Sequence, residues 1–124
     1  MNIVVFCPSL IGDTVMATPV FRALRKTYPR SKLTAVMRPN VAPVLDGTDW
    51  FDETVFFHPH GKLRAHHAAA VVRRLRSERR DAAVLLPNSF RSAWIAWLSG
   101  IERRVGYDRY ARGLLLTDRL QPPR

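Results

Sequence analysis

The chain opens on an apolar run that predicts a buried strand followed by a helix. Residues 3–7 are continuously apolar and largely β-branched, which is typical of a strand buried on both faces, and Pro8 ends the run. Over residues 13–28, apolar positions recur at helical spacing, and basic residues gather at the C-terminal end, where cations suit the helix dipole. The apolar stripe consists of Val15, Met16, Pro19, Val20, Ala23, Leu24 and Thr27.

The same alternation continues along the chain. The predicted strands cover residues 33–37, 54–57, 82–86 and 104–107, and the predicted helices cover residues 39–45, 63–80 and 89–98. The long middle helix has an apolar stripe of Ala69, Val72 and Leu75, and Gly100 follows the last helix as a C-cap. Strands that alternate with helices predict an α/β fold, a Rossmann-like parallel sheet with helices on both faces.

The loops that follow the strands are the expected place for a ligand, because open α/β sheets bind at the carboxyl ends of their strands. The first loop, residues 8–13, lacks both the repeated glycines of a dinucleotide site and the Gly-Lys-Ser/Thr ending of a phosphate loop. NAD and ATP are therefore disfavoured. Gly12 permits close backbone approach, and Asp13 stands where strand passes to helix. On position alone, an N-cap is the favoured interpretation of Asp13 over a catalytic role.

Composition narrows the class of protein. The chain has 124 residues, of which 47% are hydrophobic, so it can bury one core and form one domain. A net charge of +10, carried mainly by arginine, favours anionic partners without choosing among nucleic acid, lipid and acidic sugar. The one cysteine, Cys7, lies in the first apolar run and predicts core packing in a cytoplasmic protein. The N-terminus has no secretory signal pattern.

Three groups of segments resemble one known family. They are residues 11–19 with 24–29, residues 86–93 with 100–107, and residues 113–118. In order and spacing these segments are similar to landmarks of the bacterial lipopolysaccharide heptosyltransferases, glycosyltransferase family nine. The run Asn88-Ser89-Phe90-Arg91 is similar to the members that add the second heptose.

The resemblance implies an inverting, metal-independent transferase of the GT-B type, in which two Rossmann-like domains face each other across a cleft. Residues 1–120 would be the N-terminal domain, which holds a lipid A-linked anionic inner-core acceptor. Residues 121–124 would begin the linker to a C-terminal domain that holds ADP-heptose and is absent from this chain. The implied location is the cytoplasm, with peripheral contact at the inner membrane.

The resemblance also assigns roles to individual residues. Asp13 corresponds to the proposed general base, which takes a proton from the acceptor hydroxyl. The predicted acceptor-binding residues are Gly12, Lys62, Arg64, Asn88, Ser89 and Arg91. The cations among them could pair with the carboxylate or phosphate of the inner core, and we expect Lys62, Arg64 and Arg91 to share one cleft. The family uses no metal and no cofactor.

The remaining clusters have ordinary structural interpretations. Four histidines within residues 58–67 match no structural zinc spacing, so a metal site is disfavoured. The basic run over residues 73–80 predicts a solvated helix face. Core packing is the favoured interpretation of Trp94 and Trp97, and an exposed part of this aromatic stripe could instead meet the missing domain or the membrane interface. Two other classes of function stay open. One is a basic nucleic-acid-binding module, which no binding motif supports. The other is a non-catalytic remnant or partner subunit that binds an anionic glycolipid.

Overall fold

A computed structural model of the chain describes residues 2–8, 10–58, 67–86, 90–101, 103–107 and 118–120. The strands are β1 (Asn2–Phe6), β2 (Lys32–Met37), β3 (Glu53–Phe56), β4 (Ala82–Leu85), β5 (Arg103–Tyr107) and β6 (Asp118–Leu120). The helices are α1 (Ile11–Thr27), α2 (Ala68–Arg76) and α3 (Phe90–Leu98), with a 3-10 helix at Pro39–Leu45. Within these residues the strands form one parallel sheet in the order β3-β2-β1-β4-β5-β6. The predicted α/β fold is confirmed.

The centre of the sheet is β1, which is covered on both faces as its apolar run predicts. Val4 and Phe6 belong to the core under α2 and α3, whereas Ile3 and Val5 belong to the core under α1 and the 3-10 helix. Alternation of side chains along a strand sends successive residues to opposite faces. The strand therefore joins two apolar layers, and its neighbours β2 and β4 hold it in register.

Helix α1 packs on the sheet through a different side from the one its apolar stripe predicts. Its buried residues are Thr14 and Phe21, and the Phe21 ring lies 5.3 Å from the Phe51 ring in an edge-to-face contact. Met16 is 80% exposed, and Val15 is also exposed. The prediction of a core-facing stripe is wrong for these side chains, because the helix has two adjacent apolar stripes and only one meets the sheet.

Helix α2 ends at Arg76, four residues before the predicted end, and the chain then turns back toward the sheet. Arg80 is buried, so the prediction of a solvated face over residues 73–80 is wrong at this position. Its Nε donates a hydrogen bond to the Leu75 carbonyl at 3.2 Å, and its Nη1 donates to the Thr34 hydroxyl at 3.0 Å. Ala69 is part of the predicted apolar stripe, but it is exposed. The residue of α2 that is buried in the core instead is Val71.

Helix α3 corrects a second prediction of burial. Ile95 and Ala96 are fully buried, whereas Trp94 and Trp97 are 44% and 48% exposed. Core packing was therefore the wrong interpretation of the tryptophans. Gly100 adopts a positive φ of 75° after the helix, which confirms the predicted C-cap. Among the helices that the structure describes, none has the length and apolar character needed to cross a bilayer.

Candidate functional site

The candidate site lies at the connection between β1 and α1, at the carboxyl edge of the sheet. The helix begins immediately after Leu10, and the Thr14 amide donates to the Leu10 carbonyl at 3.0 Å. The buried Thr14 hydroxyl donates to the same carbonyl at 2.8 Å and lies 3.2 Å from the Pro8 carbonyl. This side chain therefore ties the first turn of α1 to the loop and holds the two residues before it in place.

Asp13 is the third residue of α1, and it is exposed. Leu10 occupies the N-cap position and makes no side-chain capping hydrogen bond, so the N-cap interpretation of Asp13 is wrong. No hydrogen bond or ion pair joins the Asp13 carboxylate to another described residue. A carboxylate in the first turn is favoured by the positive end of the helix dipole, which needs no capping contact. The helix therefore sets the backbone position of Asp13, and its carboxylate is open to solvent.

Gly12 lies beside this carboxylate with open space in front of its backbone. A Cβ built at Gly12 would meet no atom within 4 Å. Internal packing therefore does not require glycine here. A side chain at this position would instead project into the solvent beside Asp13, where an acceptor would have to lie.

Cys7 lies at the end of the β1 ladder. Its side chain packs in the core and does not serve as a nucleophile. The side chain is buried, and burial raises the pKa of the Cys7 thiol to about 12. A thiol acts as a nucleophile only as the thiolate, so this group is inert at neutral pH. The prediction of core packing for Cys7 is confirmed.

The other predicted acceptor contacts depend on parts of the chain that the structure does not describe. Lys62, Arg64, Asn88 and Ser89 lie outside the described residues, and Arg91 lies in α3 with only its backbone described. Their convergence on one cleft remains a prediction.

The topology places the end of β4 next to the end of β1. Phe6 and Leu85 are register partners on adjacent strands, and the Leu86 amide donates to the Phe6 carbonyl at 3.2 Å. The described end of β4 therefore lies beside the start of the β1–α1 loop. The loop after β3 starts two strands away, on the far side of β2.

An exposed apolar surface flanks Asp13, and the sequence analysis did not identify it. We call it the α1 apolar face, and it consists of Leu10, Ile11, Val15, Met16 and Val20. A helix that is apolar over more than one face is the available sequence signal, because only one face can pack on the sheet.

The histidine cluster is only partly described. His58 and His67 are within the described residues, and His60 and His66 are outside them. Among the residues that the structure describes, no three His, Cys, Asp or Glu side chains form a group that could hold a metal ion.

Comparisons with known proteins identify what the chain is similar to. The family model of glycosyltransferase family 9 (heptosyltransferase) matches residues 68–123. Lipopolysaccharide heptosyltransferase 2 of Escherichia coli K12 is 32% identical over 119 residues, which are 95% of this chain and 34% of that protein. The chain thus spans about a third of the length of the relatives it matches.

Solved structures give the same result at the level of the fold. The structure of E. coli ADP-heptose LPS heptosyltransferase II superposes with a TM-score of 0.83 at 28% identity, over 99% of this chain and 35% of that one. The E. coli heptosyltransferase WaaC with ADP-2-deoxy-2-fluoro heptose has a TM-score of 0.79 at 15% identity, over 100% of this chain and 43% of that one. The latter likeness concerns the fold alone.

The sheet order and these superpositions match the N-terminal, Rossmann-like part of GT-B glycosyltransferase structures. Within that class, the chain is similar to glycosyltransferase family 9 and to lipopolysaccharide heptosyltransferase II.

Proposed function

We propose that this chain is the acceptor-binding half of a heptosyltransferase that transfers heptose from ADP-heptose to the lipopolysaccharide inner core, with Asp13 as general base. The observation that carries the proposal is the exposed Asp13 carboxylate, which the first turn of α1 presents at the carboxyl end of the central strand. Similarity to heptosyltransferase II along 95% of the chain supports the choice of reaction.

The proposed chemistry is a single displacement at the anomeric carbon of the donor. The Asp13 carboxylate accepts the proton of an acceptor hydroxyl while the hydroxyl oxygen forms a bond to that carbon. The bond between the anomeric carbon and the phosphate oxygen breaks on the opposite side, and ADP leaves with the electron pair. Configuration at the anomeric carbon is therefore inverted. No metal and no cofactor take part in this scheme.

The proposed acceptor is anionic, which agrees with the charge of +10 on the chain. Lys62, Arg64 and Arg91 are the proposed cations for its carboxylate or phosphate groups, and arginine offers a forked contact to either. Gly12 leaves room for the sugar, and Asn88 with Ser89 would supply neutral hydrogen bonds. The donor would be held by a C-terminal part of the kind that the longer relatives contain.

The test joins this chain to the C-terminal part of E. coli heptosyltransferase II and measures heptose transfer from ADP-heptose to an inner-core acceptor. The hybrid should transfer heptose, whereas the chain alone should show no transfer and negligible ADP binding. A folded hybrid that binds acceptor without transferring heptose would contradict the proposed catalytic role and favour a binding function. Donor turnover by the chain alone would contradict the assignment of donor binding to the other half.

A further inference from the structure

Three arginines line a cavity at the amino end of the sheet. The cavity has a volume of about 290 Å³, and it forms where the connection from α2 to β4 meets the connection from α3 to β5. We call it the arginine pocket, and its lining residues are Arg76, Ser77, Glu78, Arg79, Arg80, Ser99 and Gly100. Because both connections lead into the amino ends of parallel strands, the pocket lies at the opposite edge of the sheet from Asp13.

Arg76 lies between the C-terminal ends of the two helices. Its Nη1 donates to the Leu98 carbonyl at 2.8 Å, which holds the guanidinium beside the end of α3. No hydrogen bond joins its Nε or Nη2 to another described residue. Since a guanidinium carries five N–H donors in a planar fork, Arg76 can contact a ligand and keep its contact with the helix.

Arg79 is held only loosely by the protein. Its Nε lies 3.5 Å from the Asp81 Oδ1, and its side chain is 79% exposed. An ion pair of this exposure contributes little to stability, because water screens it. The Arg79 guanidinium can therefore turn toward a stronger acceptor at small cost.

Arg80 adds a buried charge to the wall of the pocket. Its side chain is 1% exposed, and the nearest carboxylate oxygen, the Glu53 Oε1, lies 3.9 Å from its Nη2. This nitrogen has no hydrogen-bond partner among the described residues. A buried charge is costly unless it is paired, and an anion in the pocket would offset this one without touching Nη2.

Cations outnumber carboxylates in and around the pocket. The cations are Lys32, Arg74, Arg76, Arg79 and Arg80, and the carboxylates that pair with them are Glu53, Glu78 and Asp81. Glu78 lines the pocket, but Lys32 contacts both of its carboxylate oxygens, at 2.9 and 2.7 Å. The C-terminal ends of α2 and α3 carry about half a negative charge each, which still leaves this part of the described chain positive.

We propose that the arginine pocket binds the phosphate group of a small soluble molecule. A phosphate group carries about −1.5 to −2 charges at neutral pH and three acceptor oxygens, so it can accept contacts from Arg76 and Arg79 together. One guanidinium fork occupies both oxygens of a carboxylate, which is therefore the poorer fit. The hydroxyls of Ser77 and Ser99 already donate to backbone carbonyls at 2.6 and 2.7 Å, so the arginines select the ligand. The proposal does not depend on heptose transfer.

The experiment is an NMR titration of the full ¹⁵N-labelled chain with inorganic phosphate, compared with sodium chloride at equal pH and ionic strength. We expect saturable changes in amide shifts at residues 76–80 and 99–100 with phosphate alone, and none at residues 11–14. A second titration, with glycerol 3-phosphate, distinguishes the two sources of the group. Tighter binding of the ester would indicate a phosphorylated metabolite, and weaker binding would indicate free phosphate.

Substitutions test the two accessible cations. Arg79→Gln should weaken phosphate binding about fivefold, since one of two charged contacts is lost at an exposed position. Arg76→Gln should weaken it by a similar factor, and circular dichroism checks that losing the Leu98 contact does not unfold it. Arg79→Glu covers the case in which the Arg76 variant does not fold, and it should lose about tenfold or more.

The matched control is Arg22→Gln, which removes one exposed cation from the helix on the other face of the sheet. It should bind phosphate as the parent chain does. Equal shift changes with phosphate and chloride would overturn the proposal, because ionic screening would then account for them. Unchanged affinity in both Arg79 variants, an equal loss in Arg22→Gln, or shift changes centred on residues 11–14 would overturn it as well.

Discussion

Carboxylates at the two ends of the parallel sheet differ in whether they are paired with cations. At the amino end, Glu53 accepts hydrogen bonds or ion pairs from Lys32 at 3.0 Å and Arg74 at 2.8 Å. At the carboxyl end, Asp13 is exposed and has no partner among the described residues. Ion pairs link the elements at the amino end, whereas the carboxylate at the carboxyl end has no partner among the described residues. The difference indicates that stability is concentrated away from the candidate site.

The amino end contains a connected network rather than isolated pairs. Arg80 is 1% exposed at its side chain, and its Nη2 lies 3.9 Å from the Glu53 Oε1. Lys32 also contacts Glu78 at 2.7 Å, so β2, β3 and the segment after α2 are linked. Burial alone would raise the pKa of Glu53, but the hydrogen bonds from Lys32 and Arg74 outweigh it and hold that pKa below its usual range.

The largest expected effect comes from Asp13→Asn in the hybrid enzyme. Asn keeps the shape of the side chain but cannot accept the proton, so the turnover number should fall by about 10²–10⁴ while stability stays nearly unchanged. Steady-state transfer and thermal unfolding provide the two measurements. Asp49→Asn, an exposed aspartate outside the candidate site, is the control and should have parent activity. Near-normal turnover of the Asp13→Asn variant would mean that another group is the base.

Glu53→Gln should have the next largest effect, and it acts on stability. The substitution removes the carboxylate that lies 3.9 Å from the buried Arg80 guanidinium, which we expect to cost about 3 kcal/mol in the free energy of unfolding. Urea unfolding at neutral pH measures it. Glu78→Gln is the matched control, because Glu78 contacts the same Lys32 at the surface, and its effect should be much smaller. Equal losses in the two variants would contradict a special role for Arg80.

Acid should weaken the amino end through Asp52 as well. The Leu33 amide, followed by Arg25, lowers the pKa of the Asp52 carboxyl. A carboxyl whose pKa is lowered by folding stabilises the protein fully above its unfolded value, about 3.9, and loses that contribution as pH falls through the folded value. Because the Asp52 side chain is half exposed and solvent screens its interactions, Asp52→Asn should cost only about 0.5 kcal/mol at neutral pH and should flatten the loss of stability below pH about 4. Urea unfolding midpoints measured across that pH range check this prediction, with Asp46→Asn as the control. An Asp52→Asn variant with the same pH profile as the parent chain would contradict it.

A similarly small effect is expected of Asp13→Ala on stability. Because Leu10 occupies the N-cap position, this substitution removes only the interaction of a first-turn carboxylate with the helix dipole, about 0.5 kcal/mol. Thermal unfolding of the isolated chain measures it. A loss of about 2 kcal/mol, which is the upper range for a capping residue, would show that Asp13 satisfies backbone amides in solution.

Sequence periodicity predicted the strands, and it predicted that the first strand is buried on both faces. It could do so because the pattern of apolar residues within a strand is local in sequence. The apolar run at the start of the chain predicted a strand covered on both faces, and Val4 with Val5 confirms it. Periodicity could not decide which of two apolar stripes on α1 meets the sheet, nor which side of α3 holds its tryptophans. Those choices depend on contacts between distant segments. Burial of Arg80 depends on Thr34 and Glu53, which lie far from it in sequence.

The candidate site was predictable only in part for a related reason. The strand-to-helix junction visible in the sequence drew attention to Asp13 but favoured an N-cap, and its proposed role as base came from the family resemblance. Its place within the first turn was not predicted. The α1 apolar face resembled an ordinary packing stripe. The proposed contacts of Lys62 and Arg64 rest on family resemblance, since nothing in their local sequence separates a ligand-binding cation from a solvated one.

The buried thiol of Cys7 offers a way to measure opening of the sheet at its central strand. The chain has one cysteine, so any thiol reagent that modifies it reports a single position. Modification requires the thiolate, and a pKa of about 12 together with burial blocks it while β1 stays in the sheet. The labelling rate in the native protein therefore reports openings that expose the end of β1, including its release from β2 and β4. Comparing that rate between the parent chain and Glu53→Gln would show whether the ion pairs at one end of the sheet govern opening of its middle, without a dye or an engineered probe.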